Sequence, residues 1–248
     1  MIRAVTFDLW DTIVKDDSDE SRRAAQGLRT KKEARRELFA KEIQTHHPDK
    51  AHQIDAAFDH ANAWFQLQWK QELQTPSYAE RMKVACGHLG VPTTPGFSNM
   101  VATVEAMEVQ IPPDLADGIQ QCLSELHGVY RLGIISDAIV TPGSSLRKIL
   151  HHHGLAQYFD AFVFSDEAGA AKPNPTVFEQ ACQAFHVEPA ELLHIGDRES
   201  NDIAGPLDFG AHSILYTGII DRGSHQTRAS AVCSDHQQMP SIIAALNR

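Results

Sequence analysis

Three short apolar runs in this chain each break off at an acid or a hydroxyl. Ile2 to Phe7 runs into Asp8, Arg131 to Ile135 into Ser136, and Leu192 to Ile195 into Gly196-Asp197. Runs of this length without polar alternation read as strands buried on both faces, which requires helices on either side of a sheet. The intervening stretches supply those helices. Ser144 to His153 has helical spacing. Asn174-Pro175 opens a helix through Phe178, Ala181 and Phe185, with proline where no hydrogen bond is lost. Asp202 to Phe209 and Ser241 to Leu246 read as short helices, and Ala161 to Phe164 and His212 to Tyr216 as two further strands. Strands alternating with helices predict an α/β fold with a doubly wound, mostly parallel sheet. Ligands bind such sheets at the carboxyl ends of strands, so Asp8, Ser136 and Asp197 are expected to converge from distant parts of the chain.

The stretch from about Asp16 to Gln110 has a different character. Lys, Arg, Glu, Gln and Ala dominate it, and apolar residues fall three or four apart: Ile54, Phe58, Ala61, Phe65 and Trp69, then Tyr78, Met82, Ala85 and Leu89. Pro48, Pro76 and the segment Pro92 to Gly96 punctuate these helices. Pro112-Pro113-Asp114 then opens a helix through Leu115, Ile119, Leu123 and Leu126, stopped by Gly128. The expected organisation is an α/β core of residues 1–15 and 111–248, interrupted by an all-helical module of residues 16–110.

Composition excludes several alternatives. With 22 Lys+Arg against 32 Asp+Glu, the net charge of −10 argues against a nucleic-acid protein, whose footprint is a basic patch. At 248 residues the chain can bury a sizeable core without a staple. Its four cysteines, Cys86, Cys122, Cys182 and Cys233, form no CxxC pair and read as reduced cytosolic thiols. No apolar stretch reaches the roughly 18 residues of a membrane span. The apolar N-terminus meets Asp8 too soon for a signal peptide. A cytoplasmic protein is expected, with no membrane or nucleic-acid partner and no feature that sets an oligomeric state.

Asp8, Ser136, Lys172, Asp197 and Asp202 are the candidates for chemistry. Carboxylates gathered at one point repel unless a cation joins them, and hard oxygen ligands suit Mg²⁺. A lysine neutralises a phosphate as a point charge, and a hydroxyl can hydrogen-bond a phosphoryl oxygen. The inventory suits phosphoryl transfer, where positioning and charge stabilisation dominate.

Phe7-Asp8-Leu9-Trp10-Asp11-Thr12, the strand ending in Ser136, Lys172 followed by Pro173, and Gly196-Asp197 through Asp202 together resemble the four ordered motifs of the haloacid dehalogenase-like (HAD) hydrolase superfamily. The segment Ser165 to Phe178 is similar to that of the subgroup with a helical cap between the first and second motifs, the slot filled here by residues 16–110. The resemblance spans essentially the whole chain. It implies a Rossmann-like core and Asp8 as a nucleophile that forms an aspartyl intermediate. It also implies Mg²⁺ held by Asp8, the backbone carbonyl of Trp10, and Asp197, with Asp202 acting directly or through water. Ser136 and Lys172 would hold the phosphoryl oxygens of a small phosphorylated substrate, Lys172 also restraining Asp8. Asp137 is counted with them at the substrate, although its charge opposes a phosphate unless it points away, and a helix-cap role is an equal reading.

The pattern departs from the family at Trp10. Phosphatases of the superfamily usually carry a second Asp there, which protonates the leaving oxygen and later activates water; an indole has only one N–H to donate. Such acid–base catalysis is worth about 10²–10⁴-fold. Another group substitutes for it, the substrate has a good leaving group, or the chemistry differs. Asp11, on an extended segment, would point away from Asp8. The family's L-2-haloacid dehalogenases also lack the second Asp, often with an aromatic residue in its place, but they need no Mg²⁺ and do not keep the full acidic fourth motif. Phosphatase chemistry is therefore favoured over a catalytically weak binding or regulatory role, and dehalogenation ranks below both. Other features read as structure. His151 to His153 fan out around a helix end, the basic run from Arg22 to Arg36 is a solvated face, and Trp64 and Trp69 are core of the helical module.

Overall fold

The computed structural model describes residues 1–247. Six parallel strands form one sheet in the order β3-β2-β1-β4-β5-β6. They are β1 (Ala4–Phe7), β2 (Arg131–Ser136), β3 (Ala161–Phe164), β4 (Leu192–Gly196), β5 (His212–Tyr216) and β6 (Ala231–Cys233). Three-residue β6 carries no pattern long enough to betray a strand; the other five stand where their apolar runs predict.

Successive side chains of these strands enter two different cores, as a period of two requires. Val5, Phe7, Leu132, Ile134, Leu193 and Ile195 pack on one face, under α7 (Ile119–Leu126), α8 (Gly143–His152) and α12 (Met239–Leu246). Ala4, Ile135, Val163 and Leu192 pack on the other, under α10 (Pro175–Phe185), with Ala168 of α9 (Ser165–Ala168) and Phe209 of α11 (Gly205–Phe209) at its edge. Asn174 caps α10 through its side chain, accepting from the Thr176 N–H at 3.0 Å. Burial on both faces makes this an α/β doubly wound sheet.

Residues 20–110 contribute the helices α1 (Glu20–Ala25), α2 (Lys31–His46), α3 (Ile54–Lys70), α4 (Tyr78–Leu89), α5 (Phe97–Glu105) and α6 (Met107–Gln110). Thr30 and Ser77 begin α2 and α4 with reciprocal capping boxes to Glu33 and Glu80. The predicted stripes Ile54, Phe58, Ala61, Phe65 and Tyr78, Met82, Ala85, Leu89 are buried, all but Phe65 in a hydrophobic cluster of the helices' own.

Three expectations change here. Trp64 and Trp69 lie outside that cluster and are only half-buried. The basic run is not wholly solvated: Lys31 is 2% exposed, its Nζ on Asp19 at 2.7 Å, Glu108 at 3.0 Å and Asp17 at 3.1 Å. The helix after Pro113 begins late, at Ile119, because the preceding backbone is committed elsewhere. Lys15 N–H donates to Asp114 O and Ala116 N–H to Ile13 O, both at 2.8 Å, tying together the two chain crossings between sheet and helices.

Candidate active site

Asp8 follows β1, Ser136 ends β2 and Asp197 follows β4, three neighbouring strands of the sheet. The register sets Phe7 beside both Ile134 and Ile195, so the strands end nearly level. Parallel strands lie about 4.8 Å apart. The convergence expected from sequence therefore follows from strand order. Carboxylate oxygens of Asp8, Asp197 and Asp202 come within 4.8 Å of one another. Gly196 makes that approach possible: a Cβ there would stand 2.3 Å from Asp202 Cγ.

Lys172, 3% exposed, is the central cation. Its Nζ donates to Asp8 Oδ1 at 2.7 Å and to Asp202 Oδ1 at 2.5 Å. Burial opposes its charge, but Asp202, Asp8 and Asp137 raise its pKa far above the ordinary lysine value. Burial likewise works against the Asp202 carboxylate, yet Lys172 and His194 hold its pKa well below the usual range. Asp8 is pushed up to about 7, chiefly by burial against the pull of Lys172, with Asp202 and Asp197 adding repulsion. Two atoms of the group stand apart from this network. Ser136 Oγ and Asp197 Oδ1 are buried and have no hydrogen-bond partner.

Asp137 does not present a free carboxylate. Its Oδ1 accepts from the Lys172 N–H at 3.0 Å, and its Oδ2 from Trp69 Nε1–H at 2.9 Å and Asn201 Nδ2–H at 3.2 Å. Trp69 thereby bonds the helical insertion to the sheet end. Asp11, treated above as part of an extended segment, instead sits in a turn at φ +52°. Its carboxylate accepts from Asp16 N–H at 3.1 Å and from Arg222 Nη2 at 2.7 Å, so it is engaged away from Asp8 as expected, but for another reason.

Sequence reasoning passed over Thr6, His194, Asp16 and Arg222. Thr6 and His194 are register partners in β1 and β4 and bond each other at 2.9 Å between Oγ1 and Nδ1. His194 Nε2 lies 3.1 Å from Asp202 Oδ1. Burial pushes His194 down to about 4, so the ring is neutral; since Asp202 can only accept, Nε2 carries the proton. The available signal was that both residues interrupt otherwise apolar strands. Asp16 lines a cavity of about 240 Å³ that also exposes Asp8, Trp10, Trp69, Arg35 and Lys172. Burial and neighbouring Asp17 push Asp16 up to about 6.

A model of the haloacid dehalogenase-like hydrolases matches residues 2–210 of this chain. Among curated proteins it is similar to the pyrimidine 5'-nucleotidase YjjG of Escherichia coli (strain K12), with 33% identity over 136 residues, 54% of this chain and 53% of that protein. The chain spans about two-fifths to a half of the length of the first curated relatives it matches. Its structure resembles a HAD phosphatase from Thermococcus onnurineus, with a TM-score of 0.64 and 17% identity over 98% of each chain. It also resembles the L-2-haloacid dehalogenase of Xanthobacter autotrophicus, with a TM-score of 0.60 and 16% identity over 99% of this chain and 100% of that one. At these identities the structural likeness is one of fold, and it embraces both chemistries. The match over residues 2–210 takes in the sheet end and its acids, and on that ground the chain belongs to the haloacid dehalogenase-like hydrolases.

Proposed function

We propose that this hydrolase is a Mg²⁺-dependent phosphatase of a small phosphorylated metabolite, acting through an aspartyl-phosphate at Asp8. The observation that carries the reading is the orphaned Asp197 Oδ1 beside Asp8 and Asp202. A buried carboxylate oxygen without a donor is costly, and an oxygen-ligated cation is the partner that fits it. Asp8 and Asp197 would hold the ion with the Trp10 carbonyl. Asp202, whose oxygens are engaged by Lys172, His194 and the Arg198 N–H, would act through water. When bound, Mg²⁺ supplies charge neutralisation for the phosphoryl oxygens and favours the ionised form of Asp8.

The chain's own residues do the rest. Asp8 attacks phosphorus as the ester P–O bond breaks, and water then splits the acyl phosphate to return Asp8 and inorganic phosphate. Lys172 fixes Asp8 and meets the transferred charge, and the unpartnered Ser136 hydroxyl donates to a phosphoryl oxygen. The leaving oxygen needs a proton that the Trp10 indole cannot supply. Of the carboxyl groups on the cavity wall, Asp137 is spent on three donors, while Asp17 and Glu108 are paired with Lys31. Asp16 makes no ion pair among the described residues, and near neutrality it is poised to give and take a proton. Residues 16–110 form the cap over this cavity and exclude water from it. Four free cysteines support a reducing, cytoplasmic setting.

Trp10 also favours a second reading, hydrolysis of a 2-haloacid. That chemistry has no use for the Asp197 oxygen, and the acidic group would repel the substrate carboxylate. One experiment separates the two. The protein is incubated with p-nitrophenyl phosphate, acetyl phosphate or 2-chloropropionate, with and without Mg²⁺, alongside Asp8→Asn. Mg²⁺-dependent phosphate release that disappears in Asp8→Asn is the expected result. Chloride release without Mg²⁺ sinks the phosphatase reading.

A further inference from the structure

Arg222 stands in the loop after β5, outside every motif in the sequence. Its guanidinium joins two acids from different parts of the chain: Nε donates to Asp197 Oδ2 at 2.5 Å, and Nη2 to Asp11 Oδ2 at 2.7 Å. Both acids are buried, at 1% and 5% exposure. A planar guanidinium bonded at two points fixes the orientation of what it holds, as an ammonium does not.

The consequence falls on the other oxygen of Asp197. A carboxylate free to turn about its terminal torsion would offer either oxygen to the sheet end or rotate both toward protein donors. With Oδ2 pinned, Oδ1 is the oxygen left buried and unpartnered, in the group formed with Asp8 and Asp202. Charge is consistent with this arrangement. Two ion-pair groups meet at this end of the sheet, Lys172 with Asp8 and Asp202, and Arg222 with Asp11 and Asp197, and in each the acids outnumber the cation.

We infer that Arg222 is a positioning residue for the divalent cation, holding Asp197 so that Oδ1 faces the ion, with Asp11 as its anchor. This rests on the metal-site reading proposed above. Two effects oppose each other at Arg222. Its charge repels a nearby cation, and its bonds orient a ligand of that cation. The Arg222 side chain is 32% exposed, so solvent screens the repulsion, whereas nothing replaces the lost orientation of a buried carboxylate. Orientation wins, and removing Arg222 weakens cation binding.

The test is Mg²⁺ titration of the substrate-free protein by calorimetry, with the Mg²⁺-dependent rise in melting temperature as a second readout. Arg222→Ala and Arg222→Gln are expected to bind Mg²⁺ about 10–100-fold more weakly than the unaltered protein, the usual loss for an outer partner of a metal ligand. Arg222→Lys should fall between, because one ammonium cannot span both carboxylates in a fixed plane. In an Asp197→Asn background, Arg222→Gln should cause no further loss, which a general electrostatic effect would not reproduce. Circular dichroism and metal-free melting establish that each variant is folded, and the glutamine and lysine variants carry the test if the alanine variant is not. Unchanged or tighter Mg²⁺ binding in the folded Arg222 variants overturns the assignment and makes Arg222 a competitor of the ion. Absence of binding in the unaltered protein fails both this assignment and the metal-site reading, a result distinct from loss of the Arg222 effect alone.

Discussion

At the scale of single residues, the phosphatase proposed above lacks a proton donor at Trp10, and Asp16 is the carboxyl group on the cavity wall proposed to replace it. The two lie six positions apart and line one space with Asp8, although the chain between them turns at Asp11. Burial and Asp17 raise the Asp16 carboxyl, with Glu108 and Asp11 adding to the rise and Lys31 opposing it, so the proton is held until about pH 6. In the proposed mechanism a carboxyl group in that range would serve as acid on the way to the aspartyl-phosphate and as base on the way back. Asp16→Asn should lower turnover of an alkyl phosphate about 10²–10⁴-fold. It should spare the first release of p-nitrophenol, whose leaving group needs no acid. Trp10→Asp should restore turnover in that background, since it returns a carboxyl group to the position of the usual acid. A pH–rate profile unchanged by Asp16→Asn would remove Asp16 from the chemistry.

At the scale of elements, β1 to β5 were legible because burial on both faces leaves a short apolar run bounded by polar or turn residues, a pattern too short to show in three-residue β6. The loops at their ends were legible only through the polar residue that stops each run, which is why Asp8, Ser136 and Asp197 stood out. Arg222 did not, because an arginine in a polar loop has no pattern to break, and its partners are set by tertiary packing. Trp69 shows the converse error. Its helical spacing with Phe65 suggested core, but α3 reaches the sheet end just there, and the indole N–H turns to Asp137 instead. That bond, the Ala171 N–H to Leu73 O bond at 2.6 Å and the Thr75–Ser165 hydroxyl bond fasten the end of α3 and its following loop to the loops after β2 and β3. A hydrogen bond to a charged acceptor contributes about 1.5–3 kcal/mol. A double-mutant cycle of Trp69→Phe and Asp137→Ala, followed by urea unfolding, should return a coupling of that size. A coupling near zero would mean that the Trp69–Asp137 bond does not hold the insertion, leaving that to the Leu73 and Thr75 bonds and to packing.

At the scale of the whole molecule, the sheet's far edge is tied back to the active-site loop through a histidine. His236 follows β6, stacks on Tyr216 of β5 with ring centroids 4.0 Å apart, and lies with Nε2 2.8 Å from Thr12 O. The Thr12 carbonyl can only accept, so Nε2 carries the proton, and Nδ1 is buried with no partner. Charging this ring would place a second N–H where nothing accepts it. Burial accordingly pushes His236 down to about 4, with the Thr12 bond and Asp235 opposing. An unfolded chain takes up that proton near pH 6.5, while the folded one refuses it until about pH 4. The unfolded state therefore binds more protons throughout that window, and the folded state loses stability as pH falls across it. Each tenfold difference in proton affinity between the two states is worth about 1.4 kcal/mol, so the loss from this residue approaches roughly 3 kcal/mol at the acid end. His194, also pushed down to about 4, adds a loss of the same sign. His236→Gln keeps a donor for Thr12 O and removes the titration. Urea unfolding at about pH 7 and about pH 4.5 should show a smaller acid penalty for the variant, because His194 and the carboxylates are common to both proteins. Equal penalties would show that His236 is protonated in the folded state, and that the contact between β6 and the loop after β1 opens to receive the charge.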